Sequence, residues 1–343
     1  MLGVAIIGCG DMGRKHAAGW NAQDGATVVT VCDHHPDRAD ALSGQLNAGV
    51  SRNWQEAITT QGVDIVSICV PVCDHAAVAV AAANAGRHVL CEKAMALTLA
   101  EADQMIAAAK ANNIQLSVCH QYRALSRFRT MKRLIDDGRL GAPLYIRFSE
   151  MREVRPKLAM HDRGLNGGPV HDMTGHLFDL ARYFTEAEPV SVTATGAVFG
   201  RGKARLESVS DFGIDTAEIA MRFTGGHVLT IGLNWGLPEG TPGHCHEMIH
   251  GPEGVAFCQD AEAPDRFLGD VSDTIGVVIK DRNGRERIAC DPDDEGPEAC
   301  VRQLMRAIRT GERSDFDGRQ GRIALRMILA SLTAIETGQT ITI

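Results

Sequence analysis

Asp172, His176 and Asp179 recur at i, i+4 and i+7 in the stretch from Gly167 to Phe184. On a helix they share one stripe, a step behind an apolar stripe of Met173, Leu177, Leu180 and Phe184. An aspartate one turn before a histidine can hold the imidazole by a hydrogen bond and select its tautomer, which suits proton transfer. The same spacing also describes a solvated polar face beside a core face, so the pair needs support from elsewhere. Gly167-Gly168-Pro169 lends some. Glycines allow a tight turn and close approach of a ligand, and proline suits the first helical turn.

A chain of 343 residues is too long for one ordinary core, so two domains are expected. Hydrophobic content of 44% with 23% charged residues is ordinary for a soluble globular protein. The net charge of −8 and the lack of any basic run argue against nucleic acid as a partner. No stretch of membrane-spanning length is apolar, and the N-terminus reads as a strand rather than a secretory signal. The ten cysteines lie singly, with no Cys-x-x-Cys pair, which predicts reduced thiols in a cytoplasmic protein.

The first half alternates strand and helix. Residues 2–7 form an apolar strand that runs into Gly8-Cys9-Gly10-Asp11-Met12-Gly13, and a helix follows to about Asn21. In that context Gly-x-Gly-x-x-Gly is a dinucleotide-binding turn. The first glycine turns the chain, the second admits a pyrophosphate, the third packs helix on strand, and the helix N-terminus attracts the phosphates. The next strand, residues 27–32, ends in Asp33, twenty residues past Gly13. A carboxylate there accepts from both ribose hydroxyls and repels a 2′-phosphate, so NAD is expected over NADP. His34 and Arg38 lie close enough to soften that preference. Further strands at 63–70, 88–91 and 114–119 alternate with helices at 37–47, 74–85 and 98–112. The last of these helices opens with a Thr98-x-x-Glu101 capping box. This predicts an α/β fold with a doubly wound parallel sheet and its ligand at the strands' C-terminal ends. Asp33, Pro71, His75, Glu92, Lys93, His120 and Arg123 stand at those ends. Lys93, just past a strand, could hydrogen-bond a substrate oxygen or relay a proton, although a solvated lysine reads the same way.

After about residue 122 the pattern changes. A helix at 127–137 leads to a strand at 144–152, the helix with the Asp/His stripe, and alternating strands at 190–198, 216–223 and 227–235. Gly225-Gly226 and Asn283-Gly284 mark hairpins. This predicts a second α/β domain with an open, mostly antiparallel sheet. An open face of that kind is usually covered by another copy, so a dimer or tetramer is expected. The domains are placed at 1–122 and 123–343, with the final helix at 318–337 free to return to the first. His244, His246 and His250 share a strand face. They would span about 20 Å, too far for one ion unless the strand bends, so no metal is expected.

The chain at this point resembles the Gfo/Idh/MocA oxidoreductases. Gly8-Cys9-Gly10-Asp11-Met12-Gly13, Pro71 with His75, Glu92-Lys93 and Gly168 through Asp179 carry the resemblance, in that order and across essentially the whole chain. It implies a Rossmann domain holding NAD(P), a C-terminal α/β domain with an open sheet, and alcohol-to-ketone chemistry on sugars or cyclitols. The family's Glu-Lys-Pro lysine falls on Lys93, its Asp-x-x-x-His pair on Asp172 and His176, and a substrate-contacting arginine on Arg123. Two positions depart from the pattern. The motif proline is Ala94, which leaves the loop after Lys93 less constrained, and the third glycine before the helix is Pro169.

The expected reaction is NAD-dependent oxidation of a secondary hydroxyl of a sugar, anhydrosugar or inositol-like polyol. Lys93, Asp172 and His176 are the catalytic candidates, and either Lys93 or His176 can be the proton acceptor. Gly8, Gly10, Asp11, Met12, Gly13, Asp33, His34, Arg38, Pro71, His75, Glu92 and Lys93 are the cofactor candidates. Arg123, Arg152, His161 and Trp235 join the catalytic three as substrate candidates. Two rivals remain: NAD-assisted glycoside cleavage, and a ligand-sensing regulator that binds NAD without turnover.

Overall fold

A computed structural model describes residues 1–259, 276–290 and 296–343. Two compact units emerge, Met1–Gln121 with Glu295–Leu325, and Tyr122–Asp294 with Arg326–Ile343. Among the described residues no helix is long and apolar enough to cross a membrane. Among the described residues no disulfide joins the cysteines.

The first unit alternates β1 (Leu2–Ile7), α1 (Asp11–Asn21), β2 (Ala26–Cys32), α2 (Pro36–Leu46), β3 (Gly49–Ser51), α3 (Trp54–Thr59), β4 (Val63–Ile68), α4 (Val72–Asn84), β5 (His88–Cys91), α5 (Leu99–Ala111) and β6 (Leu116–Val118). The strands pair in parallel in the order β3-β2-β1-β4-β5-β6. That is the doubly wound order, which reverses between β1 and β4. Val4, Ala5, Ile6 and Ile7 are buried on both faces, as a continuous apolar strand requires. The capping box at Thr98 forms, with Glu101 N–H donating to Thr98 Oγ1 and Thr98 N–H to Glu101 Oε2.

The second unit runs α6 (Ser126–Asp136), β7 (Tyr145–Glu153), α7 (Arg163–Asn166), α8 (Pro169–Thr185), β8 (Pro189–Ala197), β9 (Thr216–Phe223), β10 (Val228–Leu237), β11 (His244–Gly251), β12 (Gly254–Gln259), β13 (Gly276–Asp281) and β14 (Gly284–Ala289). After α9 (Pro297–Thr310) and α10 (Gly318–Thr337), a last strand β15 (Ile341–Thr342) pairs with β8. The order is β14-β13-β12-β11-β7-β10-β9-β8-β15, parallel only between β7 and β10. On β7 the inward residues Ile146, Phe148, Glu150 and Arg152 are buried, whereas Tyr145 and Met151 are exposed. Period-two alternation thus gives the sheet one covered and one open face.

Among the described residues, β3, α3, α7, β12, β15 and α9 go unread from sequence. The first two are too short for a periodic signal. Helix α9 does carry one, since Val301, Leu304, Met305 and Ile308 recur at helical spacing behind Pro297 at its first turn. It belongs to the first unit and packs on α1, where a Cβ at Gly19 would lie 3.2 Å from Glu298 Cγ. The β13–β14 hairpin is shifted by one residue from expectation. Arg282-Asn283 makes its turn, and Gly284, at φ +107°, already pairs with Asp281.

Candidate functional site

At the C-terminal end of β1, Gly8 has φ +96°, and a Cβ there would meet Cys69 O at 2.6 Å. A Cβ on Gly13 would sit 1.8 Å from Gly8 O, so only glycine lets α1 close on the turn. Nothing lies within 4 Å of a Cβ built on Gly10, which leaves the middle of the turn open to a phosphate. Asp11 begins α1 and pairs with Arg14 at the surface; Met12 is half-buried. Asp33 is buried at the end of β2. Its Oδ2 accepts from Cys9 N (2.7 Å) and its Oδ1 from His35 N (2.8 Å), so the carboxylate is braced against the glycine turn. His34 and Arg38 are exposed beside it.

Pro71 caps α4 and is half-buried. His75 is buried on α4. Its buried ring places Nδ1 2.9 Å from Ala94 O and Nε2 3.0 Å from Val70 O, and a neutral ring donates to one of these two carbonyls. Burial holds its pKa below the ordinary histidine value. Glu92 is buried as well. Its Oε1 lies 2.9 Å from His16 Nε2, and its Oε2 accepts from Lys93 N (3.2 Å). Burial would raise the Glu92 pKa, but the His16 hydrogen bond and the charges of His16 and Lys93 bring it below the usual range. Burial would likewise lower the His16 pKa, yet Cys69 and Glu92 raise it. Since burial keeps Cys69 a thiol, Glu92 is the charge responsible. Lys93 is half-buried, and its peptide to Ala94 is cis although residue 94 is not proline.

In the second unit α8 is a buried helix. Asp172, His176 and Asp179 are 3%, 4% and 2% exposed, which rules out a solvated stripe. The glycines before it, at φ +79° and +90°, turn tightly against the chain. A Cβ on Gly168 would strike Gly213 Cα at 2.5 Å, and one on Gly167 the His171 ring at 2.4 Å. The close approach they permit is therefore to the chain itself. Asn166 Nδ2 lies 3.5 Å from Asp172 Oδ1. The His176 ring stacks on Tyr122, centroids 4.1 Å apart and planes 1° off parallel. Burial, then the Glu150 charge, pushes the Tyr122 phenol far above its ordinary pKa, so it stays a hydrogen-bond donor.

Arg123 and Asp179 form an ion pair. The guanidinium grips Asp179 through two bonds, Nε to Oδ2 (2.7 Å) and Nη2 to Oδ1 (2.5 Å), and lies over the Tyr183 ring. A bidentate, buried pair of this kind ties Arg123 to α8. Asp179→Ala is expected to cost about 3 kcal/mol of stability, the low end for such a pair because Arg123 is partly exposed. Urea unfolding measures it, and an unchanged midpoint would contradict the assignment.

Arg152 and Trp235 meet through Glu150, which accepts from the indole nitrogen at 3.0 Å and pairs with Arg152 Nε at 2.6 Å. Burial raises the Glu150 pKa. His161 is buried, and its Nε2 accepts from Arg155 N (3.1 Å). Sequence reasoning missed Tyr122, Glu150 and the buried Arg127–Glu247 pair at 3.0 Å. The available signal was charge at inward-phase strand positions, as at Glu150, Arg152 and Glu247. His244 and His246 stack at 6.3 Å, while His250 faces Tyr145.

Two models of one family match this chain: the oxidoreductase family with an NAD-binding Rossmann fold over residues 2–120, and the GFO/IDH/MocA C-terminal domain over residues 128–257. The chain belongs to the Gfo/Idh/MocA oxidoreductases. Among its relatives, the myo-inositol 2-dehydrogenase of Thermotoga maritima is 26% identical, aligned over 98% of this chain and 97% of that one. The D-apiose dehydrogenase of Paraburkholderia graminis is also 26% identical, over 98% and 88%. The fold is shared with a levoglucosan dehydrogenase solved with NADH, at TM-score 0.85 and 21% identity over 99% and 98% of the two chains. The cofactor of this Gfo/Idh/MocA member is NAD, and the open space above Gly10 with the braced Asp33 carboxylate fits that group. Asp33→Asn keeps the size and one acceptor while removing the charge. It is expected to raise the NADP-to-NAD ratio of kcat/KM about tenfold, or roughly 1.4 kcal/mol. Steady-state kinetics with both cofactors measures this, and an unchanged ratio would show that Asp33 does not discriminate.

Proposed function

We propose that this chain oxidises a secondary hydroxyl of a sugar, anhydrosugar or cyclic polyol to the ketone. The observation that carries the reading is the buried Asp172–His176 spacing on α8, on a family member whose relatives bear the names of sugar and polyol dehydrogenases. NAD, when bound, supplies the hydride acceptor. His176 takes the hydroxyl proton at a ring nitrogen, held flat against Tyr122. Asp172 orients the imidazole. Lys93 is assigned the hydrogen bond to the developing alkoxide oxygen.

The test is a screen of NAD reduction across sugars, anhydrosugars and inositols. Steady accumulation of NADH with one of them supports the reading. Glycoside cleavage without net NADH would instead indicate transient oxidation, and NAD binding with no turnover on any of them would indicate a sensor.

The open face of the nine-stranded sheet carries Tyr145 and Met151 exposed on its central strand. A dimer or tetramer built on that face is expected. Light scattering at micromolar concentration checks it, and a monomer would count against it.

A further inference from the structure

We infer that His16 and His75, two buried histidines with no place in the reaction above, are positioning residues for Lys93. They hold the chain on either side of it. On the N-terminal side a hydrogen-bonded line runs from α1 to the loop. Trp20 Nε1 donates to Ser67 Oγ (3.1 Å), Ser67 Oγ lies 2.8 Å from His16 Nδ1, and His16 Nε2 lies 2.9 Å from Glu92 Oε1. The other Glu92 oxygen accepts the Lys93 backbone N–H at 3.2 Å. On the C-terminal side His75 Nδ1 meets Ala94 O at 2.9 Å. His16, Ser67, His75 and Glu92 are all buried, so each bond forms where water cannot replace it.

Catalytic groups work only when held close to the productive geometry, and a displacement of about 1 Å can cost roughly a hundredfold in rate. Lys93 carries a long, flexible side chain on a loop, so its aim depends on the backbone beneath it. The two histidines fix that backbone from α1 and α4.

His16, Glu92 and Cys119 also place one donor atom each within 4.8 Å of one another. A cation bound there would compete with the hydrogen bonds, so the metal content of the purified protein enters the test.

The inference rests on Lys93 acting on the substrate, so Lys93→Ala is measured alongside. The full chain is assayed with NAD and a polyol active in the screen above. His16→Leu removes both ring bonds, and kcat is expected to fall about a hundredfold with little change in NAD affinity or in KM for the polyol. His16→Gln, whose amide can again donate to Glu92, is expected to restore most of the loss. If His16→Leu does not fold, Glu92→Gln takes its place with the same expected loss. A readout free of substrate is the acetylation rate of the Lys93 amine by acetic anhydride, followed by peptide mass spectrometry. It is expected to change in His16→Leu and to return in His16→Gln. An unchanged acetylation rate, a loss that His16→Gln does not relieve, or stoichiometric zinc that Cys119→Ser releases would each overturn the positioning role. An inactive Lys93→Ala beside a fully active His16→Leu refutes the positioning role alone. An active Lys93→Ala refutes the reading of Lys93 itself.

Discussion

His176→Ala is expected to lower turnover by about a hundred- to ten-thousandfold while NAD still binds with nearly wild-type affinity. The range is that of a general base acting in the transition state. Cofactor affinity is spared because the glycine turn and Asp33 belong to the first unit and α8 to the second. The His176 ring is buried and stacked on Tyr122, so its removal also leaves a cavity. Melting temperature is therefore measured beside turnover, to separate lost chemistry from lost fold. Asp172→Asn keeps the shape but presents the wrong partner to the imidazole, and a loss of the same kind is expected. Near wild-type turnover of His176→Ala on the true substrate would end the proposal.

Lys93→Ala is expected to fall in the same range, because the group it removes bonds the alkoxide only as charge develops there. Its effect should appear in kcat more than in KM. Combined with His176→Ala, the loss should be far less than the product of the two single losses, since residues acting as a unit fail as a unit. Steady-state kinetics of the two single variants and the double variant measure this directly. Fully multiplicative losses would mean that Lys93 and His176 act independently, and the shared proton-transfer reading would fall.

Much of this molecule is legible from local pattern. The strand–Gly-x-Gly-x-x-Gly–helix opening and the apolar strands of the first unit need only a few neighbouring residues to be recognised. Turn chemistry and period are local physics. Elements too short to show a period, such as β3 and α3, escaped for the same reason. The helix with the Asp/His stripe was also visible, but its environment was not. Nothing in the spacing of Asp172, His176 and Asp179 tells a buried face from a solvated one.

Sequence by itself determined the fold class and the nucleotide turn, because each depends on chemistry within one or two turns or strands. Tertiary structure alone decided the partners. Arg123 and Asp179, 56 positions apart, form one bidentate pair. His75 holds Ala94 O across 19 positions, His16 reaches Glu92 across 76, and Gly168 makes room for Gly213. A buried polar group must find a partner or lose several kcal/mol, and which partner it finds is set by how distant elements pack.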